Sequence, residues 1–422
     1  MRPARKVAVL TGSRAEYGLF RPLLDVLERD PGFDVSLIVT GTHLAQRFGM
    51  TVAEIERDGS RIAARVPLPL DDDSELGVSR AMAAALAGVA AALDAARPDL
   101  LVVLGDRYET LAAACAALLA RVPLAHLHGG ELSEGATDDA MRHAVTKMAW
   151  LHFPATPGAA ARIAQLGEDP ARVFAVGALG VDNALRQARL SKSELEGELG
   201  PLFGPTTALT TFHPVTLEQS SGAAQVGELL AALDGLPELH AVFTLPNADA
   251  GNRAVAAAIT HYCDAHPDRA RAFASLGSRR YLSLLGWADV CLGNSSSGVI
   301  EAPSLGTPTV DVGERQSGRE RAACVLHCEP RAADIAATLR RALAPDGQSL
   351  AHSCPNPYGD GHAAQRIAAV LREHLPLPGT LMKRFRDRPA PGVATTDDRP
   401  APGPAATPDD RPASPGAATP GD

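Results

Sequence analysis

DLLVVLGDRYETLAAACAALLARVPLAHLHGG, residues 99–130, decides the fold class. Its first apolar run, Asp99–Asp106, does not alternate with polar residues, so both faces of the strand are to be buried. An alanine- and leucine-rich stretch around Leu111–Ala120 has helix length, and Pro123–Gly130 is a second apolar run. Strand, helix, strand in this order is a unit of a parallel sheet, joined by a right-handed crossover.

The same pattern extends in both directions. Upstream, Val7–Leu10 and Val35–Gly41 read as strands, with helices over Arg21–Asp30 and Ser79–Ala96. Downstream, a helix runs into the strand of WLHF, and Arg172–Gly177 closes the series as a further strand. Gly180–Pro205 is less regular and reads as a hinge. The pattern then restarts, with strands expected over Thr207–Pro214, Ala241–Asn247, Ala288–Asn294 and Thr307–Gly313. The prediction is an α/β protein of two Rossmann-like domains, residues 1–180 and 181–360, with a cleft between them. An amphipathic helix within 361–384 is expected to pack back towards the first domain. Residues 385–422 repeat Asp-Arg-Pro within Pro, Ala, Gly, Thr and Asp; with so little to bury, this tail is expected to be disordered.

At 422 residues, two domains are the natural division. A net charge of −9 argues against a nucleic-acid partner. No apolar run reaches the 18 or more residues of a membrane span, and the apolar stretch near Met1 is too short for a signal peptide. The expected location is the cytoplasm. Six cysteines without a CxxC pair read as reduced thiols rather than a metal site.

Four stretches carry chemistry. TGSRAEYG (Thr11–Gly18) follows a strand and opens a helix, where unpaired N–H groups and Arg14 suit a phosphate; an ordinary capped turn is the bland alternative. LGDRYET (Leu104–Thr110) puts Asp106 and Arg107 at the carboxyl end of a strand, where parallel sheets bind ligands. HLHGGELSEGATDDAMRHAVTK (His126–Lys147) crowds Glu131, Asp138, Asp139, Arg142 and His143 after a Gly-Gly turn. Asp138 and Arg142 lie one helical turn apart. LGNSSSGVIEAPSLGTPTVDVGERQSGRE (Leu292–Glu320) offers Ser295, Ser296 and Ser297 at a helix start, suited to a diphosphate. Glu301 follows, placed for a ribose diol, with Arg315 and Arg319 as further positive charge. His213 ends another strand.

These segments, in this order, resemble the hydrolysing UDP-N-acetylglucosamine 2-epimerases of sialic-acid biosynthesis over about residues 5 to 375. TGSRAEYG, LGDRYE, HGGE with DDAMRHAVTK, FHP, NADAG, GNSSSGVIEAPSLGTP and GERQSGR carry the resemblance. It implies a GT-B-like fold with the active site in the interdomain cleft. It implies conversion of UDP-N-acetylglucosamine and water to N-acetylmannosamine and UDP, through a 2-acetamidoglucal, without cofactor or metal. It places Asp106, Glu131, Asp138 and Arg142 around the sugar. It assigns Arg14, His213, Ser296, Ser297, Glu301 and Arg319 to the nucleotide; Arg107, Asn247, Ser295 and Arg315 complete the expected UDP-binding set. A homo-oligomer, dimer or tetramer, is the family's expectation. Non-hydrolysing relatives carry a proline and then a lysine in the first loop; TGSRAEYGLF has neither, which favours hydrolysis. The nearest rival substrate is UDP-2,4-diacetamido-2,4,6-trideoxyglucose, of legionaminic-type sugars. A glycosyltransferase or a catalytically silent binder fits the clustered acids less well.

Overall fold

The computed structural model describes residues 3–72, 74–133, 137–214, 222–246, 252–375, 377 and 381–387. Among the described residues, twelve strands form two six-stranded parallel sheets. The first holds β1 (Arg5–Thr11), β2 (Phe33–Thr40), β3 (Ile62–Val66), β4 (Leu100–Leu104), β5 (Leu124–Leu127) and β6 (Leu151–Phe153), in the order β3-β2-β1-β4-β5-β6. The second holds β7 (Thr206–Thr211), β8 (Leu239–Thr244), β9 (Ala270–Phe273), β10 (Val290–Gly293), β11 (Thr309–Val312) and β12 (Val325–Cys328), in the order β12-β11-β10-β7-β8-β9. Both sheets have the same winding. In each, the strand order reverses between the first and fourth strands, which is where an open parallel sheet leaves a crevice beyond its carboxyl ends.

The two-face burial read from residues 99–130 holds, since every residue of β4 and β5 is buried. On one face, β1, β2 and β4 pack with Phe20, Leu23, Leu24 and Leu27 of the helix Arg14–Arg29 and with Ile367 and Leu371 of the helix Ala363–His374. On the other face, Val89 and Leu93 of the helix Glu75–Ala96 and four alanines of Tyr108–Ala120 cover Leu101 and Val103. The helix Ala363–His374 therefore joins the first sheet's core. Its amino end is capped by buried Asp182, whose carboxylate accepts from the Ala363 and Ala364 N–H groups at 2.9 and 2.8 Å.

Several elements differ from the sequence reading. The strands β3, β9 and β12 were not foreseen, because each is a short edge strand without a continuous apolar run. Arg172–Gly177 is not a ladder strand: it runs extended beside β6 with a single bridge, Val173 to His152. The irregular Gly180–Pro205 stretch holds most of the helix Leu179–Arg186 and the helix Lys192–Leu199, the second opened by a Ser191–Glu194 capping box. The helix Glu75–Ala96 is long and apolar enough by length and composition to cross a membrane, contrary to the reading of the runs. Its buried Ala81, Ala85, Val89 and Leu93 instead give it a seat on the first sheet. The six cysteines are free thiols. Residues 388–422, nearly all of the expected tail, lie outside the described residues, as does Asn247.

Candidate active site

The loops after β1, β4 and β5 of the first sheet and after β7, β10 and β11 of the second carry the residues singled out by sequence. In the first half, Arg142 is the organising group. It projects from the helix Thr137–Met148, is 1% exposed, and has every neighbour needed to hold its charge. It pairs with Asp106, donates to Asp139 at 2.9 Å, to the Glu131 carbonyl at 2.9 Å and to the Ser133 hydroxyl at 2.8 Å. Burial alone would lower its pKa; Asp106, Glu131 and Asp139 outweigh burial and raise it. Besides Asp106, Arg142 is reached by Asp139, three residues before it, which also accepts the Ser133 N–H at 2.8 Å. Asp138, half-buried, stands beside it in the same first turn.

Glu131 follows the Gly-Gly turn. Gly130 has φ +75°, and a Cβ there would lie 2.4 Å from the Ala159 carbonyl, so only glycine lets the chain turn so tightly. Glu131 is 7% exposed and held on two sides, by His128 Nδ1 at 2.8 Å and by Arg319 from the second half at 3.5 Å. Burial pushes its pKa up, but Arg319, His128 and Arg142 together bring it down to about 2. It is therefore ionised at neutral pH. Arg319 thus crosses between the halves, as does a bond from the Gly158 N–H to Glu320 at 3.1 Å. A small crevice lies there, bordered by Glu131, Arg162, Arg319 and Tyr358.

Sequence reasoning passed over His128 and Glu16. His128 has φ +61° at the end of β5, a left-handed conformation that costs a residue with a Cβ roughly 1–2 kcal/mol. Its Nε2 is buried without a hydrogen-bond partner. The contrast with His126, two residues earlier, is instructive. His126 is fully buried and satisfied at both nitrogens, by Thr146 at 3.1 Å and the Gly105 carbonyl at 2.8 Å. Burial lowers its pKa to about 3, so it is a neutral structural ring. Glu16, inside TGSRAEYG, accepts the Gly12 N–H at 2.7 Å and lies with Arg107, Glu109 and Asp106. Burial raises its pKa to about 7 despite Arg107. Arg107 itself is clamped by Glu109 through two 3.2 Å bonds. The signal for both residues was present in the motifs, but only their tertiary surroundings mark them.

In the second half, Asn294 ties the ends of β7 and β10 together: its side chain accepts the His213 N–H at 2.7 Å and donates to the His213 carbonyl at 2.8 Å. The Asn294 carbonyl accepts from Arg315 at 3.1 Å and Gln316 at 2.9 Å, gathering GNSSSG, His213 and GERQ in one place. Burial first, and Arg315 second, lower the His213 pKa to about 3. Ser295 caps the short helix Ser296–Ile300, leaving Ser296 and Ser297 in its first turn. Glu301 closes that helix rather than lying within it. Burial raises its pKa, opposed by Ser297, His128 and Arg319, so Glu301 lies within electrostatic reach of the first half's His128. Gly180 makes that approach possible, since a Cβ there would stand 2.1 Å from Glu301 Oε1. Arg14 reaches across to the Ser275 hydroxyl of the second half and pairs with Glu54 at 3.7 Å.

The structure thus gathers Asp106, Glu131 and Arg142, with Asp138 next to Asp139, on one side. On the other it gathers His213, Ser295, Ser296, Ser297, Glu301, Arg315 and Arg319. Arg14 opens the helix after β1, and Arg107 precedes the helix after β4. As to metals, Glu314, His327 and Glu329 bring their ligand atoms within 4.8 Å, but all three are exposed, and such acidic groups are common without an ion.

The family model for UDP-N-acetylglucosamine 2-epimerase matches residues 25–372. The chain belongs to that family. Similar relatives include the GDP/UDP-N,N'-diacetylbacillosamine 2-epimerase (hydrolyzing) of Campylobacter jejuni, 37% identical over 77% of this chain and 84% of that one. The UDP-N,N'-diacetylbacillosamine 2-epimerase (hydrolyzing) of Legionella pneumophila is 35% identical over 90% of this chain and 98% of that one. In fold, the chain is similar to the crystal structure of UDP-GlcNAc 2-epimerase from Neisseria meningitidis bound to UDP-GlcNAc. The TM-score is 0.75 at 16% identity, over 87% of this chain and all of that one. The two-sheet, GT-B-like arrangement of the family's epimerases is therefore the fold of this chain.

Proposed function

We propose that the chain is a hydrolysing 2-epimerase acting on UDP-2,4-diacetamido-2,4,6-trideoxyglucose, releasing UDP and the C2-inverted sugar. The observation that carries the substrate is the level of identity to two hydrolysing relatives named for diacetylbacillosamine, 37% and 35%. This replaces UDP-N-acetylglucosamine, the first reading of the sequence, which becomes the second reading and is favoured by the description of the matching family.

The chemistry follows from what the bond-breaking step needs. The C2 hydrogen is not acidic, so loss of UDP from C1 must drive its removal. A diphosphate leaving against helix-end amides and arginines sheds its growing charge onto groups already oriented for it. Ser295, Ser296, Ser297, Arg315 and Arg319 supply that charge stabilisation; His213 and Glu301 hold the nucleoside. Water then adds at C1 of the acetamidoglucal while an acid protonates C2 from the opposite face. Asp138 is a proton-transfer group, and Asp106, paired with Arg142, helps that arginine to hold the acid cluster in register. We place the enzyme in the cytoplasm, as a homo-oligomer.

The test is direct: give the full-length protein each UDP-sugar separately, then measure UDP and identify the released sugar. The expected result is a kcat/KM at least tenfold higher for the diacetamido sugar. A preference for UDP-N-acetylglucosamine overturns the substrate, and release of a sugar not inverted at C2 overturns the reaction.

A further inference from the structure

Three groups in the first half compete for the work of moving the C2 proton, and their surroundings separate them. Asp106 is paired with Arg142. Glu131 is pinned between His128 and Arg319, which hold it ionised. A carboxylate kept in its anionic form by a nearby arginine is a weak base and has no proton to give. His128 differs from both. An ionised Glu131 can only accept, so the 2.8 Å bond fixes the proton on His128 Nδ1. In the tautomer so fixed Nε2 carries no proton, and that nitrogen is the one buried without a partner. A carboxylate that fixes the tautomer of an imidazole, leaving the other nitrogen for proton transfer, is the arrangement by which histidine is made into a general base. The backbone is consistent with a position retained for its side chain: His128 sits at φ +61°, where glycine would be easier.

Resting on the hydrolysing 2-epimerase reading above, we infer that His128 is the base that removes the C2 proton and that Glu131 is its positioning residue. Nε2 takes the C2 hydrogen as a proton. The C2–H electron pair becomes the C1=C2 bond, and the C1–O bond breaks with its pair going to the diphosphate oxygen of UDP. The imidazolium returns its proton to solvent as UDP leaves. In the second half-reaction water's oxygen adds at C1, and a carboxylic acid on the opposite face protonates C2. The proton lost by water restores that acid.

The test uses two substitutions in the full-length protein. H128G suits the left-handed backbone, so it should fold, and it leaves room for free imidazole. H128Q keeps a donor for Glu131 but has no group that can accept and release a proton. Each is expected to lower kcat at least a hundredfold, with the UDP Kd within about threefold of the parent. Added imidazole is expected to raise the kcat of H128G at least tenfold. Either variant keeping more than a third of the parent kcat, or an H128G that imidazole does not raise, overturns the inference while leaving the hydrolysing reaction standing. A parent enzyme that releases no UDP from either UDP-sugar overturns the reading beneath it, and the inference with it.

Discussion

Glu131 and Glu301 belong to opposite halves, and their surroundings drive them in opposite directions. Both are withdrawn from water, which by itself favours the neutral acid. Glu131 has a guanidinium and an imidazole against its two oxygens, and its pKa falls to about 2. At Glu301 burial is opposed first by a hydrogen bond from Ser297 and more weakly by His128 and Arg319, so burial prevails and its pKa rises. The first half thus presents a fixed anion within a charge network. The second half presents a carboxyl group whose proton is held more tightly than usual. Partner distance, rather than residue type or burial, makes the difference.

The largest expected effect comes from breaking the network at its centre. R142L would strand Asp106 and Asp139 beside an apolar side chain and withdraw a partner from Glu131. Leaving these part-exposed carboxylates without their cation, and two polar acceptors without their donor, costs about 1–3 kcal/mol, to be read as a fall in the urea midpoint, with no detectable UDP release. R142K would keep the charge but lose the fork that serves four acceptors; a parent-like R142L would mean that the acid cluster is held by something else.

The next test uses pH to set the two glutamates against each other. Glu131 has a folded-state pKa below its ordinary 4.5, so its contribution is present above 4.5 and lost as pH falls towards about 2. E131Q should lose roughly 2–3 kcal/mol of stability at pH 7 and show a shallower acid transition between those values. Glu301 has a raised pKa, so its contribution is present in acid and lost as pH rises. E301Q should therefore be neutral or stabilising at pH 7. Melting curves from pH 2 to 8 check both signs, and equal behaviour of the two variants would erase the distinction.

The smallest effect is expected at Gly180. An alanine Cβ would meet the mobile end of Glu301, not a backbone atom. The carboxylate should shift with less than about 1 kcal/mol of lost stability, since only a flexible end must move. UDP affinity should fall about tenfold, equivalent to about 1.4 kcal/mol. A titration with UDP alone reads this; unchanged affinity would remove Glu301 from the nucleotide site.

What was readable in advance follows physical range. Central strands such as β4 and β5 announce themselves because burial on both faces demands an uninterrupted apolar run, whereas β3, β9 and β12 carry no such demand at the sheet edges. The GNSSSG turn was legible because serines at a strand-to-helix junction are a local feature. The choice between Asp138 and Asp139 was not. Both lie within a turn of Arg142, and only the docked position of the Ser133 backbone and the Arg142 side chain selects Asp139. His128 was hidden for a similar reason, since a histidine beside a glycine pair looks the same whether satisfied, as His126 is, or left with one open nitrogen.

The sequence by itself determined the parallel α/β class, the doubling of the unit and the stretches at which chemistry would collect, because periodicity, turns and caps act over a few residues. Tertiary structure alone decided which of those groups are charged and which are free to act. An arginine from the second half fixes Glu131 as an anion, Glu131 fixes the His128 tautomer, and Gly180 admits Glu301. Electrostatics and close packing act through space, and the order of residues along the chain does not contain those distances.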